Sequence, residues 1–112
     1  MYHYEATFAL KPELDEEKRG EILEEIKNFI ANEKGKIKNL DERGMRKLAY
    51  EVEKAKEGFF VTINFQTDPL RIRKIQKFLR DKEEIIRLLI VKNKKKSSDQ
   101  ADQKEGEENG QS

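Results

Sequence analysis

The apolar residues of this chain keep two different periods, and the order in which those periods alternate restricts the fold more than composition does. Tyr2, Tyr4, Ala6, Phe8 and Leu10 alternate with His3, Glu5, Thr7 and Ala9, the period of a strand with one buried face. Past Pro12 the period lengthens. Ile22, Leu23, Ile26, Phe29 and Ile30 make one helical stripe, with Asp15 placed to cap it and acids in its first turn. Gly35 stands where a left-handed cap would end that helix. From Lys36 to Glu53, Ile37, Leu40, Leu48, Tyr50 and Val52 are spaced mostly by even numbers, which predicts a long strand interrupted near Gly44. Phe59, Val61, Ile63 and Phe65 then share one face of the richest β text in the chain. Asp68 is read as a cap before Pro69, and Ile72, Ile75, Phe78 and Leu79 continue as a second helical stripe. Residues 85–92 close the pattern with an apolar run broken by Arg87, short enough to be a strand.

Strand, helix, strand, strand, helix, strand is the ferredoxin-like split βαβ order. This α+β arrangement lays two helices on one face of a four-stranded antiparallel sheet. With the first and third strands central, His3, Glu5, Thr7, Phe60, Thr62 and Asn64 fall on the uncovered face, and Arg87 is expected to join them. A chain of 112 residues holds one such domain. Of its thirty-nine apolar residues only Ala101 lies beyond position 92. The expectation is therefore a folded domain over 1–92 and a disordered polar tail over 93–112.

The absence of Cys removes disulfides, thiolate zinc sites and cysteine nucleophiles. Met1 to Glu5 has neither a basic nor an unbroken apolar region, and no stretch approaches the ~18 apolar residues of a membrane span, so the expected compartment is the cytoplasm without membrane contact. The net charge of +1 hides a division along the chain. Residues 13–33 carry eight acids against three bases, whereas 34–92 carry sixteen bases against nine acids. Local potential of this kind attracts a polyanion even where the total charge does not.

Catalytic chemistry has little to work with, so no enzyme, cofactor or small-molecule substrate is expected. His3 is the one imidazole, and no Walker loop, G-x-S-x-G or H-E-x-x-H run is present. Glu16, Glu17, Glu21, Glu24 and Glu25 fit a solvated helix face better than a metal site, because nothing orients them. An acyl-phosphate hydrolase on this fold would need a phosphate-cradling loop, and Lys11-Pro12-Glu13-Leu14 lacks the glycines and Arg for it. Base stacking on the sheet, as in RNA-recognition motifs, needs exposed aromatics two apart. Phe59 and Phe60 are adjacent, and Thr62 follows.

More informative is Arg43-Gly44-Met45-Arg46-Lys47-Leu48-Ala49-Tyr50, which joins bases for phosphates to apolar residues on an outer strand. Apolar side chains turned outward there would need a protein partner to cover them; turned inward, they would leave a plain hairpin with solvated cations. Together with Tyr4-Glu5, Leu10, Pro12, Lys54, Gly58-Phe59-Phe60, Arg87 and Val91-Lys92, this segment resembles bacterial small-subunit ribosomal protein six over residues 1–92. The resemblance implies a ferredoxin-like domain without catalysis. It also implies binding to the central domain of small-subunit ribosomal RNA as a heterodimer with small-subunit ribosomal protein eighteen. Carried over by position, it offers Arg46, Lys47, Lys54, Arg87 and Lys92 to phosphates, and Leu48 and Tyr50 to the partner or to strand packing. Tyr2-His3 and Glu51 depart from the family pattern, in which basic residues and a proline are common. From a different class, a ferredoxin-like regulatory domain that binds a small ligand or self-associates through its open sheet is the alternative reading, motivated by Phe60 and near-neutral charge.

Overall fold

Each change of period becomes an element boundary in the computed structural model, which describes residues 2–52 and 54–93. In chain order the elements are β1 (Tyr2–Leu10), α1 (Glu16–Asn32), β2 (Lys36–Val52), β3 (Ala55–Thr67), α2 (Ile72–Asp81) and β4 (Ile85–Asn93). They form one antiparallel sheet in the order β2-β3-β1-β4, so β1 and β3 are central. Both helices lie on one face. Tyr4, Ala6, Phe8 and Leu10 of β1 and Val61, Ile63 and Phe65 of β3 pack there against Ile22, Leu23, Ile26 and Ile30 of α1 and Ile75 and Leu79 of α2. Each large apolar side chain buried in that layer contributes roughly 1.5–3 kcal/mol by leaving water.

Local rules account for most of the helix ends. The Asp15 carboxylate accepts from the Lys18 N–H at 2.8 Å, capping α1. At the other end the left-handed residue is Lys34 (φ 61°), not Gly35 as the sequence predicts. The Lys34 N–H donates to the Ala31 carbonyl and the Gly35 N–H to that of Ile30, the paired bonds of a Schellman motif. Asp68 is likewise not the cap of α2. Pro69 sits inside a turn closed by the Arg71 N–H donating to the Asp68 carbonyl at 2.8 Å, and the helix starts only at Ile72. Asp68 instead holds the Leu70 N–H at 3.0 Å.

The edges bring the remaining differences. Tyr2 shares the parity of the core yet is 42% exposed, because it lies at the end of its strand beyond the helices. β4 extends to Asn93, one residue past the expected domain limit, and the rest of the tail assigned to 93–112 lies outside the described residues. No helix among the described residues is long and apolar enough to cross a membrane.

Candidate nucleic-acid interface

The face of the sheet away from the helices is built on β3. Phe60, Thr62 and Asn64 pair there with Ala9, Thr7 and Glu5 of β1. Thr62 is only 2% exposed despite facing outward. Arg43 of β2 lies across it, its Nε donating to Thr62 Oγ1 at 2.9 Å, and Thr7 Oγ1 is 3.1 Å from the same hydroxyl. The guanidinium also stands 3.7 Å from the Asp41 carboxylate. His3 is engaged at the far end, where the Gln66 amide donates to its Nε2 at 3.1 Å.

Toward the β2–β3 hairpin the face turns cationic. Arg46 stands opposite Gly58. A Cβ at Gly58 would lie 3.0 Å from that of Ala9, and Ala9 pairs with Arg87 of β4. A side chain at position 58 would force these neighbours to give by a few tenths of an ångström, so glycine eases the close approach. Between the pairs Lys47–Glu57 and Val52–Ala55, β2 runs through 48–51 while β3 spends only Lys56. That irregularity throws Tyr50 outward, 65% exposed, to where the Arg87 guanidinium lies 5.8 Å above its ring. Leu48 is half-buried. Farther along β4, Leu89 and Val91 share the parity of Arg87 and are 61% and 44% exposed.

The structure thus brings Arg46, Arg87 and Tyr50 to one face and separates them from two of the other expected residues. Lys47, next to Arg46 on a strand, pairs with Glu57 and turns to the opposite side. Lys92 pairs with core-facing Tyr4, its ammonium 3.9 Å above the Tyr2 ring on the helical side. Lys54 occupies the hairpin tip in a left-handed conformation (φ 68°), exposed. Sequence reasoning missed Arg43 as part of this face, and it placed Arg87 there without naming Leu89 and Val91. The even spacing of Leu89 and Val91 from Arg87 was the available signal.

A shallow groove of about 660 Å³ on the helical side, lined by Phe29, Phe78, Asp81, Glu83 and three lysines among others, mixes charges of both signs. No group of three His, Asp or Glu side chains able to hold a metal occurs among the described residues. Two exposed carboxyls on the helical layer are held below the usual range by ammonium partners: Asp81 by hydrogen bonding to Lys77, and Glu25 by hydrogen bonding to Lys82.

The sequence pattern of the ribosomal protein S6 family matches residues 3–92. The chain belongs to that family. The small ribosomal subunit protein bS6 of Clostridium acetobutylicum is 42% identical over 91 residues, 81% of this chain and 96% of the relative. That of Caldanaerobacter subterraneus subsp. tengcongensis is 39% identical over 92 residues, 82% and 97% of the two chains. The crystal structure of the 30S ribosomal protein S6 of Thermotoga maritima superposes with a TM-score of 0.78 at 35% identity, covering 82% of this chain and 87% of the other. Membership of the S6 family makes the chain a structural component of the small ribosomal subunit in the bacterial cytoplasm, not an enzyme.

Proposed function

We propose that this S6-family chain binds small-subunit ribosomal RNA through the open sheet face and hairpin, in a heterodimer with small-subunit ribosomal protein eighteen. The observation that carries the reading is the convergence of Arg46 and Arg87 with exposed Tyr50 on the face the helices leave bare. Two guanidiniums present planar donor forks suited to phosphate oxygens. Lys54 extends the cationic region to the hairpin tip, and Lys47 and Lys92 reach phosphates that pass around the edges. Leu48, Tyr50, Leu89 and Val91 provide apolar surface that a partner protein would cover, since exposed apolar strips beside cations are poor ends in themselves.

Filter binding to small-subunit ribosomal RNA across a KCl series tests the reading. Arg46→Gln with Arg87→Gln should weaken binding and lower the slope of log K against log salt by about two. An unchanged slope rejects the assignment of these two residues. Leu89→Ser with Val91→Ser should abolish co-elution with the partner protein while leaving the salt slope intact; retained co-elution rejects the apolar strip as its dock.

A further inference from the structure

The two helices follow opposite electrostatic rules. α1 opens with the Asp15 cap and with Glu16 and Glu17 in its first turn, and it carries i,i+3 pairs between Lys18 and Glu21 and between Glu24 and Lys27. All of this suits a helix, whose N-terminus is the positive end of its dipole. α2 inverts the arrangement. It has no side-chain cap and no acid in its first turn, where Arg73 and Lys74 stand instead. Arg73, Lys77 and Arg80 then follow at i, i+4 and i+7, spacings at which like charges repel. All four cations are exposed. Asp81 answers Lys77 at 2.6 Å, but among the described residues no carboxylate pairs with Arg73, Lys74 or Arg80.

Arg80 stands in the last turn, where the dipole favours a cation, but a helix of ten residues that opens on Arg73 and Lys74 sets those two against its own stability and holds them for something outside the fold. Local choices that contradict the structure around them are the expected mark of a functional surface. We propose that the exposed face of α2 is a second RNA contact, in which Arg73, Lys74 and Arg80 bind the sugar–phosphate backbone of a segment separate from the one on the open sheet face. The row spans roughly 10 Å of helix and lies on the helical layer, opposite that face, so the protein is held between two RNA segments. The choice of RNA as the polyanion rests on the ribosomal reading above; the misplaced charge does not.

The test uses the full chain, with filter binding to small-subunit ribosomal RNA across a KCl series and a thermal melt of each variant. Arg73→Gln, Lys74→Gln and Arg80→Gln together should lower affinity at least tenfold and reduce the salt slope by about three. The same variant should melt close to the parent, because the repulsion relieved at Arg73 and Lys74 offsets the favourable last-turn charge lost at Arg80. An unchanged slope overturns the proposal whatever the melting temperature, and a lower melting temperature beside it would make the cations structural. The open-face variant Arg46→Gln/Arg87→Gln, run in parallel, separates the two readings. If it alone loses slope, the α2 contact falls and the open-face reading stands; if the α2 variant alone loses slope, the reverse holds.

Discussion

At the end of α1 two neighbouring residues divide the work that one glycine often does. Lys34 takes the left-handed conformation, while Gly35 leaves space: a Cβ there would lie 2.5 Å from Ile30 Cγ2 and 2.8 Å from the Ile30 carbonyl. The left-handed region costs a non-glycine residue roughly 1–2 kcal/mol, part of which glycine returns as backbone entropy lost on folding. Lys34→Gly should therefore stabilise the protein by about 0.5–1 kcal/mol in urea denaturation. Gly35→Ala should destabilise it by more than about 1 kcal/mol, because a backbone oxygen cannot easily move aside. Tyr4 gives a second expectation at this scale. Burial, helped by nearby Tyr2 and Asp68, pushes its phenol above the ordinary value of 10.0. The folded state thus favours the protonated form, and its contribution is complete below the unfolded value and lost as pH rises through the folded one. Denaturation curves above pH 10 should fall less steeply for Tyr4→Phe than for the parent, and parallel curves would contradict this.

Among the elements, β2 shows where sequence patterning stops being readable. Its interruption near Gly44 was visible as a glycine in a mostly even-spaced run, and the ladder does shift between Glu42 and Gly44, with Gly44 at φ 92°. Gly44→Ala meets no neighbour within 4 Å, so its cost is conformational strain alone. The expected loss is about 1 kcal/mol, with faster amide exchange in the hairpin beyond the bulge than in β1; equal protection would place the bend elsewhere. The last of the three shifts in this ladder, between Lys47 and Val52, carries no glycine and left no trace in the sequence. It decides that Tyr50 stands over Arg87, which period-two counting cannot foresee once extra residues enter one strand. By contrast, alternation alone sets Arg46 and Lys47 on opposite faces, a signal that the sequence reading passed over in grouping the two. The start of α2 was misplaced for a local reason. Asp68-Pro69 suits both a helix cap and a turn, and the Arg71 N–H bond to the Asp68 carbonyl selects the turn.

Over the whole molecule, charge is sorted by surface, and on the proposed reading this sorting would let a near-neutral chain bind RNA with a defined orientation. The open face and hairpin carry Arg43, Arg46, Lys54 and Arg87, α2 carries its own row, and the acids gather on α1 beside it. An acidic helix adjoining a basic one repels any phosphate backbone that approaches in the wrong register, so under that proposal it would contribute to specificity even while it lowers total affinity. Replacing Glu17, Glu21 and Glu24 together by Gln should then raise affinity for unrelated RNA more than for small-subunit ribosomal RNA, and should steepen the salt dependence of the unrelated complex. Stability should change by less than about 1 kcal/mol, since the pairs lost, Lys18–Glu21 and Lys27–Glu24, are exposed. Competition filter binding with the two RNAs in one tube reads the ratio directly. A ratio unmoved by the three substitutions would mean that orientation is set by shape at the open face, with α1 serving only to keep the free protein soluble.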